Sequence, residues 1–281
     1  MLSIQEYQKQ QVEQGVDTPY TVEFLMYGRE SIDKQRLLEA LQKRMGNIEE
    51  LEPGSELMAY AYMDHKVRFQ EGMMPAQCMF TKPEDVSNLA ASLAPSISQT
   101  WDWRDVEEVV SKCTSAVSAT DMLAGALNRA IRLNLIHGFV QAFLDIVPVA
   151  AIHWLPSQRI VDPKYYGEGV AQGHSFFSAA INVRMFKVEE SEQIVMDTMG
   201  LRSFGLPDLQ CHFQNVDPRQ VGMFLYECAE FIFHKGDVIK TGDTIAGFDP
   251  SQKFECRRET SMVLPSRLVV DIAPGQFAAP R

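Results

Sequence analysis

Leu209-Gln-Cys-His-Phe-Gln214, then Asp217-Pro218, then an apolar run closed by His234-Lys235-Gly236, is the stretch on which the fold turns. Its first six residues carry the side chains of a strand. Asp217 in front of a proline is the pattern of an N-cap followed by a first helical residue that needs no free N–H. The helix so started is predicted to reach His234 and Lys235, whose cationic character suits a C-terminal dipole end, and to stop at Gly236. Upstream, residues 178–188 and 193–199 read as strands, and Gly200-Leu-Arg-Ser-Phe-Gly-Leu-Pro-Asp208 as a turn region. Downstream, residues 237–247 around Gly242-Asp243 read as a turn-rich hairpin region. Residues 254–258 and 267–272 read as closing strands, and 275–281 as a tail.

The same alternation extends back to the beginning. Residues 21–27 (TVEFLMY) form a predicted strand. Ser31 is the expected N-cap of a helix over 32–45. Ile32, Leu37, Leu38, Leu41 and Met45 recur there at helical spacing, and Gly46 is the stop. Strands are expected over 57–64, 67–69 and 77–81, with a turn at Pro53-Gly54. This β-α-β-β order suits a helix on one face of an antiparallel sheet. Residues 82–99 read as a loop or short surface helix. Next come a helix from Trp101 to Val110, a small-residue strand over 112–120 and the longest helix over 122–147. A strand over 149–155 and a loop over 157–173 follow. The prediction is an α+β protein with loosely duplicated antiparallel or mixed sheets and helices packed on one side. It is organised as an N-terminal part (1–100) and a C-terminal part (101–281), or as one continuous domain.

Composition narrows the function classes. Apolar residues make up 46% of the 281 and charged residues 22%, the balance of a globular chain. The net charge of −11, with no Lys/Arg run longer than two, as at Arg257-Arg258, argues against nucleic acid, because phosphate contacts need concentrated cations. The longest apolar stretch, 139–154, is interrupted by Gln141, Asp145, Pro148 and His153, so no membrane span is expected. The polar N-terminal residues 1–15 lack the charge and apolar core of a secretory leader, and roughly the first 17 residues are expected to form a mobile arm or short helix. An odd set of cysteines (Cys78, Cys113, Cys211, Cys228 and Cys256) then reads as reduced, mostly buried thiols of a cytoplasmic protein.

Residues that could carry chemistry are few. Cys211, His212, Cys228, His234 and Cys256 share the last third, but their spacing does not match a zinc site, and no metal or cofactor is expected. No nucleophile elbow and no phosphate-binding glycine loop occurs, and Gly167-Glu-Gly169 lacks the pattern that would follow one. His65, His137 and His153 read as turn or core histidines. A triad assembled from distant positions stays open. The pairs Glu49-Glu50, Glu107-Glu108 and Glu189-Glu190 read as solvated faces. Trp101 and Trp103 have two readings, an anchor for a protein partner or a staple in the core. Asp197, Thr198 and Asp208 have two as well, a ligand pocket or turn residues satisfying backbone amides. Gly200 and Gly205 are expected at backbone angles closed to other residues, with Pro207 fixing the exit.

Four stretches in order resemble a bacterial family of unknown function: Asn182-Val-Arg-Met-Phe186; Asp197-Thr-Met-Gly-Leu-Arg-Ser-Phe-Gly-Leu-Pro-Asp208; the helix over 221–236 with Gly242-Asp-Thr-Ile-Ala-Gly247; and residues 261–267. Residues 113–154 resemble its central segment less closely, and 1–100 in outline. The resemblance carries no catalytic residues. It implies a bacterial cytosolic protein, and families of this kind often stand beside secreted-toxin genes. The expected function is therefore protein binding, most concretely an immunity protein whose acidic face masks a basic toxin site. The alternatives are an enzyme or small-ligand binder with its pocket near 197–208, and a secretion-associated accessory or scaffold protein.

Overall fold

A computed structural model describes residues 19–69, 72–171 and 177–280; the expected N-terminal arm lies outside the described residues. The chain up to Ala180 runs β1 (Thr21–Met26), α1 (Lys34–Met45), β2 (Ile48–Glu50), β3 (Met58–Phe69), β4 (Gly72–Phe80) and β5 (Glu84–Asp85). It continues through α2 (Leu89–Ser92), α3 (Ala94–Ser98), α4 (Val106–Lys112), β6 (Ser115–Met122) and α5 (Arg129–Leu144). It ends with β7 (Ala151–Trp154), β8 (Arg159–Val161), α6 (Pro163–Ala171) and α7 (Phe177–Ala180).

β1 organises this unit. It lies between β6 and β7 in an antiparallel sheet of order β2-β3-β4-β6-β1-β7-β8, with β5 also on β6. Successive strand residues face opposite sides of a sheet. Phe24 stacks on Phe143 of α5 with ring centroids 4.2 Å apart. Its neighbour Leu25 joins Val106, Val110 and Cys113 on the other face. Helices therefore cover both faces here.

Pairing of β6, β7 and β8 into this sheet draws residues 101–180 into the first unit. The described chain divides after Ala180, into units within Asp17–Ala180 and Ile181–Arg281, and the expected break at residue 100 falls inside the first. Other boundaries also move. The segments expected as two strands are one β3, with an irregularity in pairing between Tyr62 and Lys66. The helix expected over 122–147 starts at Arg129 behind an Asn128 cap, because β6 continues to Met122, opposite Gln77 of β4, and at 16 residues it is shorter than the 18-residue helix Pro218–Lys235. The helix expected from Trp101 starts at Val106. The loop expected over 157–173 contains β8, paired with β7, and α6. Ala180 closes a short helix rather than a strand. For α1 the cap is Asp33, not Ser31: its carboxylate accepts from the amides of Gln35 and Arg36.

The second unit contains β9 (Asn182–Lys187), β10 (Ile194–Met199), a 3-10 turn (Leu201–Phe204), β11 (Asp208–Phe213) and α8 (Pro218–Lys235). β12 (Thr244–Ala246), β13 (Lys253–Thr260) and β14 (Leu268–Ala273) complete it. Its sheet has the order β12-β13-β14-β11-β10-β9. β11 and β14 are parallel and every other pair is antiparallel. α8 lies on β10 and β11. Its ends are as expected: Asp217 accepts from the Arg219 amide, Pro218 is the first residue and Gly236 (φ 90°) is the stop. The α+β class is thus observed in both units, one sheet antiparallel and one mixed.

The corrected cap has a direct test. Asp33→Ala should lower stability by about 1 kcal/mol, whereas Ser31→Ala should stay within about 0.5 kcal/mol of the parent in urea unfolding.

Candidate functional site

The residues singled out at 197–208 belong to a polar row that crosses the second sheet. Asp197 on β10 faces Arg184 on β9 and Gln210 on β11. Gln210 faces Asp271 on β14, which faces Arg257 on β13. Register alone therefore places an arginine at each end of the row, an aspartate inside each, and the neutral Gln210 between the two acids. Arg184 grips Asp197 with two bonds, Nε–Oδ1 at 2.9 Å and Nη2–Oδ2 at 2.6 Å. Gln210 donates to Asp271 at 3.0 Å.

Arg267, just before β14, joins the row to the turn. Its Nη2 donates to Asp197 Oδ2 at 2.5 Å and to the Thr198 carbonyl at 2.9 Å, and its Nε to Asp208 Oδ2 at 3.0 Å. The other Asp208 oxygen accepts from the Leu201 amide at 3.1 Å and the Thr198 hydroxyl at 3.3 Å. Thr198 Oγ1 in turn accepts from the Leu209 amide at 2.8 Å. The turn itself needs Gly200 (φ 124°) and Gly205 (φ 69°), as expected, since side chains rarely tolerate positive φ.

Asp197 and Thr198 are 0% exposed and Asp208 1%. Burial holds the Asp208 carboxyl above its ordinary range, opposed by the Arg267 charge and seconded by Asp197. For Arg267, burial works against the charged form, but the Asp208 and Asp197 carboxylates outweigh it and leave the guanidinium above its usual value. Two guanidiniums thus meet two carboxylates, with each carboxylate oxygen accepting at least one hydrogen bond.

Residues 197–273 match the model of a domain of unknown function, DUF4261. No curated protein and no solved structure matches the chain. The DUF4261 match opens on Asp197 and closes on Ala273, so it takes in Thr198, Asp208, all of α8, Arg267 and Asp271, and leaves out Arg184 and β9. Within it, Asp197, Thr198 and Asp208 are brought together. They are brought together buried and bonded to one another's partners, as an arrangement that locks a turn to two strands. Their first partners, Arg184 and Arg267, went unnoticed in the sequence. The available signal was a lone arginine at an inward position of each flanking segment.

The first unit holds two further buried polar groups. Arg132 on α5 binds Asp121 of β6 through Nε (2.6 Å) and Nη2 (3.0 Å), and Asp121 also accepts from the Tyr20 amide. His153 on β7 faces Glu23 on β1, with Nδ1 2.9 Å from Glu23 Oε2; its Nε2 lies 3.3 Å from Ser96 Oγ on α3. This line has the order of a nucleophile, base and orienting acid. Ser96 is 5% and His153 6% exposed, so the hydroxyl is packed away from water, and the line ties α3 to the sheet.

Trp103 packs half-buried against the cluster around Leu25, while Trp101 stands 52% exposed. Among the described residues no group of three or more His, Cys, Asp and Glu is placed to hold a metal ion, and no helix is long and apolar enough to cross a membrane. Cys211 and His212 are strand neighbours, and His212 Nε2 lies 3.0 Å from Gln193 Oε1. The five cysteines are free thiols, four of them buried. Burial pushes Cys78 and Cys228 up to about 12 and Cys113 and Cys256 up to about 11, and it raises Cys211 as well.

Two outcomes follow from these environments. Arg267→Met should cost about 3–5 kcal/mol in chemical unfolding, because it leaves two buried carboxylates short of their shared cation. A thiol reagent at about pH 7.5 should leave the native protein unlabelled and modify all five cysteines after denaturation, since the thiolate is the reactive form.

Proposed function

We propose that this chain is a non-enzymatic protein-binding module, an immunity protein of the bacterial cytoplasm that neutralises a toxin by covering a basic site. One observation carries the reading: nearly all of the −11 charge lies outside the buried networks. Among the described residues the buried carboxylates are Asp121, Asp197, Asp208 and Asp271, and the buried guanidiniums are Arg132, Arg184 and Arg267, so the interior almost cancels. The excess acid is left where it acts at a distance. Such a surface accelerates encounter with a cationic partner and disfavours like-charged ones. Exposed Trp101 supplies an apolar anchor of the kind that carries much of the energy at an interface. The polar residues of the DUF4261 match support the reading in another way: bonded to each other, they form a rigid support for a surface.

The test is capture of a basic partner by the tagged chain from its native cells, then reconstitution from purified proteins. The expected complex is one-to-one, with an association rate that falls as salt rises. Trp101→Ala should weaken it at least about tenfold, and joint reversal of Glu107, Glu108, Glu189 and Glu190 should slow association. Unchanged affinity and rate after both changes would sink the proposal.

A further inference from the structure

A groove between the last turn of α1 and the outer face of α5 reverses the sign of this acidic chain. Its volume is about 640 Å³. Lys43, Arg44 and His65 stand on its rim and His137 in its wall, and among the described residues no carboxylate lines it. In a chain with 37 acidic and 26 basic residues, that is a local concentration of donors.

The fold builds the groove rather than leaving it as a surface accident. α1 ends on Lys43 and Arg44 before the Gly46 stop, which gathers cationic side chains at one helix end. Met45 then crosses α5 at Gly138, where a Cβ would sit 2.1 Å from the Met45 sulfur. His65 arrives from β3 within the irregular pairing between Tyr62 and Lys66. Arg44 is held in place by Asp145, at 2.8 and 2.7 Å, and by Gln141 Oε1 at 2.6 Å. His137 is 1% exposed and positioned from behind, its Nδ1 2.5 Å from the Tyr166 hydroxyl and its ring 5.2 Å from that of Trp154. Asp145 offsets the Arg44 charge, so exposed Lys43 is the main source of positive potential, with the imidazoles as nearby donors. Asn134 and Gln141 add neutral polar side chains, and the apolar lining is Met45, Leu135 and Ile131, the last 39% exposed.

We propose that this groove binds a small amphipathic acid, its anionic head beside Lys43 and His65 and a short aliphatic stem against Met45, Ile131 and Leu135. Sites of this size combine apolar walls with a few placed polar groups, and both are present. The inference is independent of the immunity reading, because it concerns a different ligand and a separately measured affinity.

The experiment titrates the full chain with octanoate by calorimetry, with octylamine and inorganic phosphate as companion probes. Octanoate should bind one-to-one and saturably. Phosphate should bind more weakly, for want of a stem, and octylamine should not bind. Lys43→Glu should weaken octanoate about tenfold or more, and Ile131→Ser should weaken it as well. Lys253→Glu, an equal charge change at an exposed position on β13, should leave it unchanged. Both Lys43 and Ile131 are exposed, so the variants keep the fold, which circular dichroism verifies. The proposal is overturned by octylamine binding as well as octanoate, by equal effects of Lys43→Glu and Lys253→Glu, or by no saturation below about 10 mM. Phosphate binding equal to octanoate would overturn the stem contact.

Discussion

Among the described residues, four aspartates and three arginines are buried, and neither unit can close until each charge has met its partner. An unpaired ion in a packed interior is costly, so these groups constrain the fold more than they stabilise it. Arg267 shows how. It touches the end of β10 and the start of β11, from a position just ahead of β14. A slip in register of any of these strands would strand a charge. The parallel pairing of β11 with β14 and the Gly200–Asp208 turn are therefore specified together. Asp121 and Arg132 do comparable work between β6 and α5 in the other unit.

The networks also shape the surface by what they withhold from it. Because buried acid and base nearly balance among the described residues, the acidity of the composition lies outside the buried networks. The cationic rim at the end of α1 is then a local exception. It exists because a helix terminus and a close Met45–Gly138 crossing bring distant basic residues together. The two proposed recognition chemistries are of opposite sign, and each is read from where charges lie rather than from any motif.

Much of the second unit was legible because its signals are local. Asp217-Pro218 and Gly236 bound α8 without reference to anything else in the chain, and Gly200 and Gly205 mark their turn by backbone conformation alone. Local signals misled where two candidates stood close together. Ser31 and Asp33 are both able caps, and the choice depends on where α1 docks. Met122 and Leu123 fit a helical pattern, yet pairing with β4 kept β6 extended to Met122. The candidate site was half legible. Asp197, Thr198 and Asp208 could be picked out, but matching them to the lone arginines Arg184 and Arg267 requires the strand register, and Glu23, Ser96 and His153 lie too far apart in sequence for any spacing rule.

The sequence by itself determined the α+β class, most helices and strands of the last third, the buried thiols and the acidic balance, since these depend on short-range periodicity, capping and composition. Only the tertiary structure decided that the first unit extends to Ala180, that the expected pocket residues are enclosed with two arginines, and that a cationic groove exists at all. Each of these rests on which residues meet across the sheet or between helices. Those meetings are set by long-range packing and charge pairing, which no single stretch of chain contains.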